Sequence, residues 1–242
     1  MTPDLDVIWH DLECGSYDLD LATWRQLAEA ARGPVLDVGA GTGRVTLDLA
    51  RRGHEVVALD AEASLLAALR ERAGGLLVDT VHADARELDV DGRRFPLIIV
   101  PMQTLQLLGG SAGRTAFLTR ARAHLAEDGI IAMAIADALE GAAVGEYSEP
   151  PRPEMREIDG IVYSSRAVAI TDEGDRCAIF RVRETVDEVG AHTSQDNVVR
   201  LDALDPATLE GEGRAAGLRV LPRGSVPESD EYIGSTVVML GA

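Results

Sequence analysis

What most constrains the fold of this chain is the stretch Val35-Leu36-Asp37-Val38-Gly39-Ala40-Gly41-Thr42-Gly43-Arg44. The short apolar, β-branched run Val35 to Val38 predicts a buried strand. Three glycines then stand at every second position. Val45 to Arg52 follows, with apolar residues at helical spacing and basic residues at its end. A strand, a glycine loop and a helix in that order bring backbone N–H groups and a helix N-terminus onto a polar ligand. Glycine suits the loop because the chain must turn sharply and admit the ligand against bare backbone.

The flanking sequence repeats the alternation. Leu19 to Arg32 predicts an amphipathic helix that ends at Gly33-Pro34. His54 to Asp60 predicts a second strand, Glu62 to Ala73 a helix, and Leu76 to His82 a third strand. Phe95 to Pro101 is apolar on both faces, as the centre of a covered parallel sheet should be. Ser111 to Ala126 predicts a helix, and Ile130 to Ala136 a fifth strand that ends at Asp137. Strands alternating with helices imply an α/β fold, a doubly wound parallel sheet with right-handed crossovers. Leu218 to Leu221 and Ser235 to Leu240 are joined too closely for a crossover helix, so they predict an antiparallel pair at the sheet edge.

Between these halves the character changes. Glu149 to Pro153 reads as a rigid linker. Arg156 to Thr171, Arg176 to Glu188 and Ala191 to Leu201 predict three antiparallel strands with one wet face. Residues 1–242 therefore read as one domain, with an antiparallel β insert at 150–201. Residues 1–32 read as an N-terminal segment and helix, and both this segment and the insert are expected to act as lids. Met1 to Asp20 shows little periodicity but crowds Trp9, His10, Glu13, Cys14 and Tyr17 together.

Composition narrows the partners. The net charge is −18, hostile to nucleic acid and to anionic membrane. No apolar run approaches the roughly 18 residues of a membrane span, and the acidic N-terminus is no signal peptide, so a cytoplasmic location is expected. Cys14 and Cys177 lack any metal-binding spacing, so no metal is expected. All 23 basic residues are arginine, which removes lysine as base or Schiff-base nucleophile.

The loop could serve two kinds of nucleotide. A dinucleotide asks for Gly-x-Gly-x-x-Gly, but Arg44 stands where the third glycine should be and Gly43 comes one position early. Arg44 would also spoil the close helix–strand packing a pyrophosphate reader needs. Asp60 follows at the spacing of a carboxylate that accepts hydrogen bonds from a ribose. Asp84, after the third strand, lies on the same carboxyl rim, where open α/β sheets bind ligands.

On these residues the chain resembles the class I S-adenosylmethionine-dependent methyltransferases. Asp37-Val38-Gly39-Ala40-Gly41-Thr42-Gly43 looks like their first motif, an acidic residue before Gly-x-Gly-x-Gly. Asp60, with Ala61 beside it, matches the ribose-binding acid. Asp84-Ala85 matches the pair bordering the adenine. Pro101-Met102-Gln103 stands at the fourth-strand end, which lines the methyl and substrate site. The resemblance covers Gly33 to Asp137 and, less fully, the last strands. It implies a Rossmann-like fold of seven strands with the last antiparallel, S-adenosyl-L-methionine as cofactor, and a small-molecule substrate methylated on N, O or C. Inserts at these two places resemble those of enzymes that act on sugar amines or natural products.

The expected cofactor site is thus Asp37, Gly39, Ala40, Gly41, Gly43, Asp60, Ala61, Asp84, Ala85, Pro101 and Met102, with Tyr17 packed over the cofactor. Glu13, His10 and the orienting Gln103 are the expected catalytic groups. Asp137, Tyr147, Tyr163 and His192 are further candidates for a base. The fourth strand ends in Val100-Pro101-Met102-Gln103 rather than the Asn/Asp-Pro-Pro-aromatic of amino-methylating nucleic-acid enzymes. The Asp-Asn pair of metal-dependent catechol-type enzymes is missing, since Ala138 follows Asp137. The alternatives are an NAD oxidoreductase and a non-catalytic S-adenosylmethionine binder. A monomer or a homodimer is expected.

Overall fold

The computed structural model describes residues 4–137, 145–146, 152–229 and 234–242. The chain forms two compact units, one of Tyr17–Asp137 and Leu204–Ala242, the other of Met1–Ser16 and Ala138–Ala203.

The larger unit is built on β1 (Val35–Val38), which is buried along its whole length. Parallel neighbours flank it on both sides: β2 (Val56–Asp60) and then β3 (Val78–His82) one way, β4 (Phe95–Val100) and then β5 (Leu125–Ile135) the other. The chain thus leaves β1 in two directions, and the point of divergence lies at its carboxyl end, where such sheets bind ligands. β13 (Ser235–Gly241) adds antiparallel to β5, and β11 (Arg219–Val220) and β12 (Gly224–Val226) pair with β13. The expected antiparallel last strand is present. β12 is an addition, three residues too short to show a period.

Both faces are covered because the strands are apolar on both. Leu36, Val57, Ile98 and Ile131 pack with Phe117 and Leu118 of α5 (Gly110–Ala123) and Leu209 of α6 (Pro206–Ala215). Val35, Val56, Leu97 and Ala132 pack with Trp24 and Ala28 of α2 (Leu21–Ala31) and Leu49 of α3 (Arg44–Arg51). On that second face Ala58 also meets Leu66 and Leu69 of α4 (Ala63–Ala73). The alternation in sequence thereby becomes a three-layer stack, as a doubly wound sheet requires.

The smaller unit carries a five-stranded antiparallel sheet among the described residues: β6 (Gly145–Glu146), β7 (Glu154–Ile158), β8 (Ile161–Asp172), β9 (Arg176–Val186) and β10 (His192–Asp202). The first expected strand, Arg156 to Thr171, is really two. Asp159-Gly160 turns between them with φ of 50° and 76°, a two-residue hairpin closing Ile158 against Ile161. The segment without visible period holds α1 (Leu5–Cys14), capped by Asp4, whose carboxylate accepts from the Asp6 N–H at 3.0 Å. Ile8, Trp9 and Leu12 of α1 pack on Tyr163, with Ile158 and Ile161 beside them. Residues 1–32, expected as one segment, are therefore divided: α1 belongs to the antiparallel unit and α2 to the central one. The expected linker lies largely outside the described residues.

Candidate functional site

The glycine loop leaves β1 at the sheet's carboxyl edge. Gly39 and Ala40 N–H groups both donate to the Leu59 carbonyl, at 2.8 and 3.0 Å, so the loop is tied to the end of β2. Gly39 has φ of +74°, and a Cβ there would stand 2.3 Å from Thr104 Cγ2. Gly43, with φ of +97°, would drive a Cβ to 2.2 Å from Leu69 Cδ1. The two glycines thus serve different contacts: Gly39 admits the loop that follows β4, and Gly43 lets α3 start hard against α4.

Asp60 ends β2 and grips the loop directly. Its Oδ2 accepts from the Gly41 N–H at 2.7 Å, and its Oδ1 from the Glu62 N–H at 2.9 Å. Each oxygen keeps a lone pair for a further donor, and two adjacent hydroxyls would supply two. Ala61 is fixed alongside, its carbonyl accepting from His82 Nε2 at 2.9 Å across to β3.

Below the loop lies a buried polar layer. Asp37 is 1% exposed. Thr46 Oγ1 donates to Asp37 Oδ2 at 2.6 Å, while Oδ1 is buried with no hydrogen-bond partner among the described residues. Burial pushes the Asp37 carboxyl up to about 6, against the Thr46 hydrogen bond and the Arg44 charge, which pull it down. Arg44, at the first position of α3, turns back toward the turn before α2. Its Nη1 donates to Asp20 Oδ1 at 2.5 Å and to the Tyr17 carbonyl at 2.8 Å, and its Nη2 to Asp20 Oδ2 at 2.8 Å. Trp24 Nε1 donates to the same carboxylate at 2.8 Å, and the guanidinium carbon lies 5.2 Å from the Tyr17 ring centre. The residue that breaks the dinucleotide pattern is thus a clamp that seats Tyr17 beside the loop.

The other strand ends complete the rim. Asp84 caps a short 3-10 helix, Ala85–Glu87, with Oδ1 accepting from the Arg86 N–H at 2.8 Å. The Arg86 side chain grips both oxygens, which holds the Asp84 carboxyl below its ordinary range. After β4, Met102 takes φ of +54°, a strained conformation for a residue with a side chain. Thr104 Oγ1 donates to the Pro101 carbonyl at 3.1 Å, and Gln103 precedes the 3-10 helix Thr104–Leu107. Gln106, 2% exposed, accepts from the Ala136 N–H at 2.8 Å, tying this loop to the end of β5. There Asp137 Oδ2 accepts from Thr236 Oγ1 at 2.9 Å.

All the expected cofactor residues except Tyr17 therefore fall on or beside the loop and the ends of β1 to β4, and the Arg44 clamp brings Tyr17 there too. Thr46, Thr104, Gln106 and Arg86 had no sequence signal that marked them; each acts through a partner distant in sequence or through a backbone turn.

The expected catalytic groups divide. Gln103 stands at the rim. His10 and Glu13 sit on α1 in the antiparallel unit. Glu13 accepts from Ser165 Oγ at 2.7 Å and pairs with Arg183 through both oxygens, each at 2.7 Å. Burial pushes its carboxyl up, but Arg183, Ser165 and the charge of Arg181 outweigh that and hold it below the usual range. A carboxylate so held is a weak proton acceptor, and its evident work is to fasten α1 to the sheet. The Trp9 ring adds to the tie, 5.5 Å from Tyr163 edge-on and 5.3 Å from the Arg183 guanidinium. Of the further candidates, His192 pairs with Glu184 at 3.0 Å, Tyr163 is buried under Trp9, and Tyr147 lies outside the described residues.

Residues 35–129 match the family described as a methyltransferase domain. The demethylmenaquinone methyltransferase of Clavibacter sepedonicus is 40% identical over 81 residues, which is 33% of this chain and 33% of that protein. The match thus spans about a third of the curated relative. Among solved structures, the sugar N-methyltransferase of Streptoalloteichus sp. superposes with a TM-score of 0.76 at 16% identity, covering 98% of this chain and 93% of that one. The S-adenosylmethionine-bound amino pentose methyltransferase of Micromonospora echinaspora, involved in calicheamicin biosynthesis, gives 0.71 at 20% identity, with 99% and 98% covered.

Proposed function

We infer the activity from the family: the chain belongs to the class I S-adenosylmethionine-dependent methyltransferases, and we propose that it moves the methyl group of S-adenosyl-L-methionine to an N, O or C nucleophile of a small molecule. The observation that carries this reading is the junction of Asp60 with the Gly41 N–H at the carboxyl edge of the sheet. It presents a carboxylate suited to two hydroxyls beside a loop that has Arg44 where the dinucleotide pattern asks for its third glycine.

In this reading Asp60 and Ala61 hold the ribose, and Asp84 and Ala85 border the adenine. The glycine loop, Ala40 and Asp37 receive the amino-acid end, with Tyr17 packed alongside. Pro101, Met102 and Gln103 face the methyl group. The sulfonium is the leaving group. The chain's part is to hold a nucleophile about 3 Å from the methyl carbon in line with the sulfur, and to exclude water. An amine nucleophile carries its own lone pair, so proximity supplies most of what such a substrate needs. Two of the similar structures are, by their descriptions, sugar-amine methyltransferases, which favours a natural-product substrate of that kind. The antiparallel unit is proposed to determine which substrate is accepted.

Calorimetry with S-adenosylmethionine, S-adenosylhomocysteine and NAD tests the cofactor. Both sulfur nucleosides should bind and NAD should not; tighter binding of NAD would overturn the reading. Release of S-adenosylhomocysteine in the presence of amino sugars would separate an enzyme from a cofactor-binding protein.

A further inference from the structure

We propose that β10 is a docking edge for a second copy of this chain: two β10 strands pair antiparallel about a two-fold axis at Val198, so that Asp196 of each copy faces Arg200 of the other. The proposal concerns assembly and stands independently of the methyl-transfer reading.

A strand at a sheet edge presents a row of unpaired N–H and C=O groups, and chains ordinarily blunt such edges by shortness, lysine, proline or a bulge. Other edges among the described residues are short: β6 and β11 have two residues each, and β3 has five. β10 has eleven. It carries no proline, glycine or lysine. Its register with β9 runs from His192 opposite Val186 to Asp202 opposite Arg176 without a shift. Among the described residues β9 is its only strand partner.

The ladder itself says which groups face outward. In an antiparallel pair, alternate residues turn their N–H and C=O to the neighbouring strand. The Asp187 N–H donates to the Ala191 carbonyl at 3.1 Å at one end, and the Ala203 N–H to the Asp175 carbonyl at 2.9 Å at the other. Odd-numbered residues of β10 therefore bond to β9. His192, Ser194, Asp196, Val198 and Arg200 turn theirs to the free edge, and their side chains share one face.

Two copies of one edge meet about a two-fold axis, and donors find acceptors only where even residues face even residues. The charges choose among the centres that allow this. A centre at Asp196 sets two carboxylates opposite each other, one at Arg200 two guanidinium groups, and one at Val199 Asp196 against Asp202. A centre at Gln195 or Asn197 sets Asp196 against a neutral residue. A centre at Ser194 sets Asp196 against His192, which already pairs with Glu184 at 3.0 Å. A centre at Val198 sets Asp196 against Arg200 twice, with the two Val198 side chains between them. Opposite charges and apolar pairs across strands stabilise, and like charges oppose.

Both charged partners have capacity for this. Asp196 enters no ion pair among the described residues. Arg200 engages Glu173 through Nε, at 3.0 and 3.2 Å, which leaves its terminal nitrogens for a second carboxylate. The opposite face of β10 carries no charge from Thr193 to Leu201, so nothing there works against the register.

Sedimentation of the full chain tests the pairing, at an ionic strength that shortens the reach of its net charge of −18. At micromolar concentration it should show a species of twice 25.8 kDa. Val198→Pro removes an N–H on the free edge and leaves the bonds to β9 in place, so it should give a monomer that still melts cooperatively. Asp196→Arg and Arg200→Asp should each weaken the dimer about tenfold or more, and the two changes together should restore it to within about threefold. Amide exchange at Asp196, Val198 and Arg200 should slow as concentration rises.

A monomer at every concentration would overturn the proposal and leave the edge to a different chain. A dimer that survives Val198→Pro, or shows no concentration-dependent protection of those amides, is held elsewhere and would also overturn it. Failure of the double exchange to restore the dimer would overturn the register at Val198.

Discussion

Asp60 and Asp37 are two carboxylates at the same loop in opposite settings. Asp60 is partly open and takes two backbone N–H groups. Asp60→Ala should weaken S-adenosylhomocysteine by about 1.5–3 kcal/mol, the scale of a lost charge-assisted hydrogen bond; unchanged affinity in calorimetry would remove Asp60 from the site. Asp37 is sealed, and its carboxyl stands raised to about 6 against 3.8 for the free group. A raised folded-state value means the folded chain keeps its proton where the unfolded chain has lost it. The stabilisation is complete below 3.8 and is lost as the pH rises through about 6, a loss of roughly 3 kcal/mol. Asp37→Asn keeps an acceptor for Thr46 and cannot ionise. Urea unfolding should therefore show the variant gaining on the unaltered protein between pH 4 and 7. A difference that stays constant with pH would show that Asp37 does not titrate in this range. Asp37 stood out in the sequence as part of a motif, but its setting did not: the Thr46 hydrogen bond and the Arg44 charge both come from the first turn of α3, across the glycine loop.

At the scale of elements, the arginines at the two ends of α3, Arg44 at its first position and Arg52 at its C-cap, carry very different weight. Arg44 pairs with Asp20 at side-chain exposures of 10% and 1%. Arg52, 45% exposed, reaches Asp48 at 3.4 Å on the helix surface. Removing one partner of a buried pair strands the other, so Arg44→Ala should cost about 3–5 kcal/mol in chemical unfolding. Arg52→Ala should cost under about 0.5 kcal/mol. Equal losses would mean that the buried clamp is not a stabilising device. Element types were legible wherever the apolar period ran long, as in α2, β2, α4 and β4. Two elements show the limits. The β7–β8 hairpin was signalled by Asp159-Gly160 between apolar-alternating runs, the strongest short turn signal, and a reading that followed the alternation alone ran through it as one strand. In α1, Ile8, Trp9 and Leu12 do recur helically, but ten residues are too few for the period to stand out beside crowded aromatic and charged neighbours.

For the whole molecule, a net charge of −18 on 242 residues means self-repulsion in the folded state. Raising ionic strength from about 0.01 to 0.5 M shortens the screening length severalfold and should raise the melting temperature. A fall would mean that the surface ion pairs, such as Arg200 with Glu173, contribute more than the repulsion removes. Among the described residues no helix is long and apolar enough to cross a membrane. The division of the chain follows the same economy of covering apolar faces. α1 is separated from the antiparallel strands by more than a hundred residues of sequence, yet its apolar side finds Tyr163 there.

By itself the sequence determined the parallel sheet, the position of the glycine loop within it, and the acids that follow β2 and β3. These depend on local period and on spacing along a chain that winds regularly, so neighbours in sequence become neighbours on the rim. Only the tertiary structure decided what each group meets. It turned Arg44 from a mismatch into a clamp on Asp20 and Tyr17, gave Glu13 to Arg183, and closed Arg86 on Asp84. The reason is physical: a side chain's chemistry is set by burial and by partners brought in from distant segments, and the order of residues does not carry those distances.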